Sequence, residues 1–449
     1  MSDLFSYPAG NAASHYRPTE KSFIVFLPVL LIIFATLTLI VDGALPQLEM
    51  AVTGGSLLFS PRQPTILVLG LGAMLLLKGR FQSSRLLLLT LVLSAYVPLE
   101  ALFLHFYIGL SFAAIRSSLE CFTLLILAGA ASVVPLQIKP RRILALLSVI
   151  TLACLILSAA QFFTNSPIVR TESSDRAFHV QSYQFLDQTR GFSFFANGLE
   201  AGIFYSFMGG VATSLCLRRG TRRIGLFLLL LCAFGCYATY TRLVMIGFIV
   251  CVLAVFVLSR KGPARFSRLL PILSLCCGVL IVVQGLRTSG GAARTDLANM
   301  SSLDQRVLAW GVYGGKFLAG SPTDILFGIG QGPYTPYSSP DRPENASPIP
   351  VDNAYLLALL SSGIVGLALL CAAYWRFWIF LHGRATSSKD HLLTGIAGIF
   401  SIVPFLCAIN DLPTQTLLLL LLAVSLADGD DVIPAPVPLT VNQQYLKLA

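Results

Sequence analysis

The chain has 449 residues, 55% of them hydrophobic and only 12% charged, with a formal net charge of +10. Soluble domains carry about 25% charged residues, so this composition excludes an ordinary cytosolic enzyme. Apolar stretches of about 17 to 25 residues recur along almost the whole length, which is the pattern of bilayer-spanning helices. The fold expected is all-α, a polytopic integral membrane protein with about twelve transmembrane helices and a large external loop containing short helices.

The segment through Lys21 is polar and leads into a long apolar run without a small-residue cleavage site, so it reads as an anchored first helix and not as a signal peptide. Spans are expected near 23–41, 58–77, 86–104, 117–136 and 143–163, all within residues 1–163. A first long loop, 164–198, follows. Spans near 199–217, 224–241, 243–258 and 269–286 fill residues 199–286, before a larger loop over 287–352. The final spans, near 353–375, 392–409 and 413–427, occupy residues 353–427, and 428–449 is a tail.

Basic residues cluster in the short connections: Lys78/Arg80/Arg85, Lys139/Arg141/Arg142, Arg218/Arg219/Arg222/Arg223, Arg260/Lys261/Arg265/Arg268 and Arg376/Arg384/Lys389. With both termini cytoplasmic, every cluster lies inside and both long loops lie outside. The positive charge is therefore a matter of topology and not of nucleic-acid binding. All ten cysteines fall inside apolar runs with no CxxC pair or zinc spacing, so they read as packing residues.

Function in a polytopic protein collects in loops such as these two. In the second, Ser301-Ser302-Leu303-Asp304 suggests a helix start, after which Arg306, Trp310, Tyr313 and Phe317 share one helical face. That is the pattern of an amphipathic helix in the interface, and equally of a packing helix, two readings that are compatible. Gly328-Ile329-Gly330-Gln331-Gly332 has no strand before it in a βαβ unit, so it reads as a tight turn and not as a dinucleotide site. Asp428-Gly429-Asp430 reads as solvated tail, and Asn299 and Asn345 fit a glycosylation pattern that is common by chance.

Ionisable groups in spans are costly unless paired or wet. Arg242 joins two spans with no hydrophilic loop, so its guanidinium is expected at the outer interface, facing an anion-binding cavity in preference to acting as an anchor. Glu100, Glu120, His105 and Arg116 suggest a structural ion pair, and Asn410-Asp411 a solvated turn. The first loop runs through Arg190 to Gly198 into a span, and the second through Asp352-Asn353-Ala354-Tyr355 into another. Arginine forks bind phosphate, aromatics stack on sugar faces and a carboxylate accepts a hydroxyl proton, so this set suits a substrate carrying both phosphate and sugar.

Four motifs resemble the O-antigen polymerase and O-antigen ligase superfamily of bacterial inner-membrane glycosyltransferases. They are Gly191-Phe192 with Asn197 entering a helix; Thr241-Arg242, where the family usually has Ser-Arg; Arg306, Trp310 and Phe327-Gly328-x-Gly330; and Asp352-Asn353-x-Tyr355-Leu356 followed by Gly363-Ile364-Val365-Gly366. The resemblance implies a polyprenyl (undecaprenyl) pyrophosphate-linked oligosaccharide donor and transfer of its glycan to a growing acceptor at the periplasmic face, with inversion and without metal or cofactor. It implies that Arg242 and Arg306 hold pyrophosphate, with Arg190 assisting, and that Asp352 orients or deprotonates the attacking hydroxyl. Asn197, Trp310, Asn353 and Tyr355 are the expected substrate-binding residues. Histidine commonly stands at the position of Asp352 in the ligases, and Asp-Asn favours a polymerase, with chain-length and export proteins as partners. A ligase and a lipid-linked oligosaccharide flippase are the alternatives, the latter expected to carry charge through many spans.

Overall fold

The computed structural model describes residues 84–111, 140–166, 188–195, 198–259, 302–330, 353–388 and 390–407, with a few positions between them. The described part is mostly helical: α1 is Ser84–Phe106, α2 Pro140–Thr164, α3 Gly198–Cys216, α4 Arg222–Ala238 and α5 Arg242–Ser259. After these come α6 (Ser302–Leu318), α7 (Pro322–Phe327), α8 (Ala354–Ser388), α9 (His391–Phe400) and α10 (Val403–Cys407). Two short antiparallel strands, β1 (Gln184–Phe185) and β2 (Gln188–Thr189), form a hairpin in the first long loop, where the sequence reading placed no strand.

Five of the described helices, α1, α2, α3, α5 and α8, contain segments long and apolar enough to cross a membrane. In lipid every backbone N–H and C=O must be satisfied within the protein, which is why apolar runs of this length form helices. The expected spans 86–104, 143–163, 199–217, 224–241 and 243–258 coincide with α1 to α5 to within a few residues. The expected spans 23–41, 58–77 and 413–427 lie outside the described residues, and 117–136 and 269–286 are described only in part.

Among the five, α3 is the least apolar and the most enclosed, with 89% of its window buried against 28% for α5. The two facts are linked: a helix screened from lipid by neighbours tolerates Glu200, Thr213 and Ser214, all buried in α3. Small residues bring the neighbours close. A Cβ at Gly202 would collide with Val244 of α5, and one at Gly210 would come within 3.3 Å of the Gly395 backbone of α9. Large apolar side chains facing outward from α2, α4 and α5, such as Val149, Ile224 and Ile249, form the surface suited to lipid. Cys154, Cys232, Cys236, Cys251 and Cys407 are buried thiols, as packing residues should be.

The tenth expected span, 353–375, is part of a longer helix with a break. At about 1.5 Å per residue the 35 residues of α8 would reach about 50 Å, well beyond an approximately 30 Å hydrocarbon core. The break falls at Gly363, with φ 62° and ψ −166°. The turn after α7 docks there, Ile329 N–H donating to Leu360 O at 2.9 Å and Gly330 N–H to Ser361 O at 2.9 Å. Carbonyls near the break thus gain donors from another element, as buried backbone outside a regular helix requires. Any side chain at Gly363 would strike the Leu326 carbonyl. The eleventh expected span, 392–409, is likewise interrupted, into α9 and α10.

Candidate functional site

Among the described residues, polar contacts concentrate where the loop Gln188–Phe195 crosses the adjoining ends of α2 and α4. Gln188 Nε2 donates to Phe162 O at 2.6 Å, and Thr189 N–H donates to Asn165 Oδ1 at 2.5 Å. Gly191 N–H donates to Ala238 O at 2.8 Å, in the last turn of α4, while Ser158 Oγ of α2 donates to Gly191 O at 3.1 Å. Ser193 takes a positive φ of 56° and is held on both sides by one residue: its N–H donates to Gln161 Oε1 at 2.7 Å, and Gln161 Nε2 donates to its carbonyl at 3.3 Å. Phe192 and Phe195 are fully enclosed. Arg190 is carried on this segment, its Nε buried and the residue as a whole half-buried.

Against the same loop sits the turn that ends in Arg242. Thr239 Oγ1 donates to Cys236 O at 2.8 Å, Tyr240 takes a positive φ of 49°, and Thr241 Oγ1 donates to Thr239 O at 3.1 Å. A Cβ at Gly198 would come within 3.1 Å of Thr239 O and 3.2 Å of Thr241 Oγ1, so the end of the first long loop is packed on this turn. Arg242 is the first residue of α5 and is exposed. A cation at that end opposes the helix dipole, which favours anions there, at a cost of about 0.3–1 kcal/mol. At this end the Val244 and Met245 N–H groups both donate to Thr241 O, at 3.0 and 3.2 Å, which ties the turn to the first residues of α5.

The remaining candidates divide between a second cluster and residues outside the description. Trp310, Tyr313, Val351, Leu356, Leu357 and Leu360 form a small core joining α6 to the head of α8, with Phe317 packed against it. The aromatic stripe of α6 therefore faces α8, which is the packing role. Trp310 Nε1 and Asn353 Nδ2 are buried with no hydrogen-bond partner among the described residues. Asn353 Oδ1 accepts from Leu356 N–H at 2.9 Å, so this residue caps α8. Tyr355 faces the opposite way, its hydroxyl donating to Pro404 O at 2.9 Å. The segment 402–406 also meets α5, since Gly247 lies against Ile402 and Leu406. Arg306 belongs to α6, one turn before Trp310, and its side chain, like Asp352 and Asn197, lies outside the described residues.

Arg190 and Arg242 are thus brought to adjoining segments, while Trp310 and Asn353 share a separate cluster. Glu100 is 2% exposed, one turn from Tyr96 and near the α8 break, where Tyr96 Oη donates to Ser362 O at 3.4 Å; Arg116 and Glu120 lie outside the described residues. Sequence reasoning missed Ser158 and Gln161. The signal was present: a serine and a glutamine at i and i+3 in an otherwise apolar span share one face, and an uncompensated glutamine there is costly.

Residues 227–371 match the family described as O-antigen ligase. This match, over about a third of the chain, supports the resemblance to the O-antigen polymerase and ligase superfamily. The matched stretch takes in Arg242, Arg306, Trp310, Asn353, Tyr355 and the docked turn at Gly328–Gly330, and it begins after Arg190 and the loop that carries it. The match suggests an enzyme of the glycosyl-transfer type, and together with the five apolar helices it indicates a multi-pass membrane protein. No curated protein is significantly similar to the chain.

Proposed function

We propose that the protein polymerises oligosaccharide repeat units carried on polyprenyl pyrophosphate, undecaprenyl in a bacterium, into a surface or exopolysaccharide at the periplasmic face of the inner membrane. The observation that carries this reading is Arg242, exposed at the head of α5 inside the stretch matched to the O-antigen ligase family, on a turn braced by the loop bearing Arg190. A compartment without nucleotide sugars requires a donor that arrives on lipid, and a pyrophosphate is the anion such a donor presents.

In the proposed reaction a hydroxyl of the acceptor glycan attacks the anomeric carbon of the donor with inversion. The bond from that carbon to the pyrophosphate oxygen breaks, and lipid pyrophosphate leaves with the electron pair. Arg242 and Arg306, assisted by Arg190, neutralise the growing charge by bidentate hydrogen bonds, with no metal taking that part. Asp352 orients the attacking hydroxyl and receives its proton; an ordinary carboxylate, with a pKa near 4, is a weak base, so desolvation must strengthen it. Trp310 and Asn353 offer buried N–H donors suited to sugar hydroxyls.

Purified protein given a synthetic lipid-pyrophosphate repeat unit is expected to produce longer glycans. Absence of extension together with movement of labelled lipid across vesicles would establish a transporter instead. The ligase alternative has the name of the matched family in its favour. Loss of a polymerase leaves single repeats on the carrier, whereas stranded long polymer in a deletion strain would assign the ligase. A reporter active only in the periplasm is expected to be active after Ser174 or Ser321 and silent after Thr221 or Ser387; reversed signals would remove the external site.

A further inference from the structure

We infer that Gln161, assisted by Ser158, is a positioning residue of the donor site: it fixes the loop that carries Arg190 in register with the Arg242 turn. The inference rests on the proposed role of the two arginines in binding the donor pyrophosphate.

Gln161 is fully buried in the last turns of α2, and its amide is spent on one backbone unit of another element. The Ser193 N–H and C=O are both taken by that amide, at 2.7 and 3.3 Å, as a neighbouring strand would take them. A glutamine is suited to this because its amide carries an acceptor and a donor side by side. Ser193 needs the support, since its φ of 56° lies in the left-handed region that L residues seldom enter. One turn before Gln161, Ser158 Oγ holds the Gly191 carbonyl at 3.1 Å and lies 2.7 Å from Tyr205 Oη of α3, which ties the same contact to the bundle centre.

The consequence reaches the arginines through the backbone. Arg190 precedes Gly191, and Gly191 is closed from both sides: its N–H is on Ala238 O, and a Cβ there would come within 2.8 Å of Ser158 O and 3.2 Å of Ala238 Cβ. Ala238 is the last residue of α4, four positions before Arg242. The loop therefore has a fixed register between α2 and the Arg242 turn. Gln161 and Ser158 supply the α2 side of that register, and loss of the Gln161 contacts would let the Arg190–Ser193 turn shift. An anion site built from two guanidinium groups on separate segments is sensitive to such a shift, because misplacement by about 1 Å can cost about a hundredfold.

The test measures glycan transfer with the full-length protein in liposomes, using a synthetic lipid-pyrophosphate repeat unit as donor. Gln161→Met preserves length and burial and removes both hydrogen bonds. It is expected to raise the donor KM about tenfold at matched membrane level, with a smaller change in kcat. In an Arg190→Lys background the same substitution should have little further effect, because the arginine whose placement it governs has already lost its fork. A bundle-wide stability defect would multiply the loss in both backgrounds, and that result, or an unchanged KM, overturns the inference. If Gln161→Met does not accumulate, Ser158→Ala serves the same cycle, with a smaller expected rise in KM; an unaltered KM there is equally decisive. Failure of the functional reading itself is distinguishable: the unsubstituted protein would then give no extension, or Arg190→Lys and Arg242→Lys would both transfer normally, whereas failure of this inference alone leaves the arginine variants impaired and Gln161→Met normal.

Discussion

The loop Gln188–Phe195 and the head of α8 both place polar side chains at the ends of spans, but by different means. The loop has almost no regular structure of its own and is held by Gln161, Ser158, Asn165 and the Ala238 carbonyl, each from another element. The α8 head is held locally, by its own Asn353 cap and by apolar contacts with Trp310 and Tyr313. The comparison teaches where each should be sensitive. Polar single substitutions around the loop act on the position of Arg190, whereas at the α8 head they act on a buried donor or on a cap.

Arg242 gives the largest expected effect and sharpens the comparison from the loop side. Arg242→Ala is expected to be inactive. Arg242→Lys keeps the charge but loses the planar fork, and at about 1.5–3 kcal/mol for each lost charge-assisted hydrogen bond its turnover or donor affinity should fall roughly ten- to hundredfold. Both proteins should insert at normal levels in immunoblots of membranes, and near-normal polymer from the lysine variant would reduce Arg242 to an interfacial anchor.

A second test strikes the α8 break, on which the head of that helix depends. Gly363→Ala puts a side chain at a positive φ and into the Leu326 carbonyl, so the docked turn must move. The expected loss is about 1–3 kcal/mol of stability, read as a lower melting temperature of detergent-solubilised protein. An unshifted melting curve would show that the docking of the Ile329 and Gly330 N–H groups contributes nothing.

Two smaller substitutions break the α8 head apart into its functions. Trp310→Phe keeps an aromatic side chain but removes the buried N–H and part of the indole volume, so stability should fall modestly while the acceptor KM rises severalfold. Equal loss of stability and activity would make Trp310 a packing residue only. Asn353→Ala removes the cap at a cost of about 1 kcal/mol, and Asn353→Asp restores most of it by keeping an acceptor for Leu356 N–H. If both variants melt together, the cap is not what holds the helix head.

Hydropathy determined the membrane class and the positions of α1 to α5, because the cost of burying backbone in lipid leaves an apolar run of that length little alternative to a helix. The helix at Ser302–Leu318 was legible in the spacing of Arg306, Trp310, Tyr313 and Phe317. Hydropathy also placed Arg242 at a span boundary, since a lone guanidinium between two apolar runs must find water or an anion. Only the tertiary structure decided that α8 breaks at Gly363, that the Gly328–Gly330 turn fills the break, and that Gln161 holds the backbone of Ser193. Each of these is a pairing between backbone groups and donors or acceptors distant in the chain. Periodicity reports only which face of an element is apolar, and carries no record of which distant polar group will meet it.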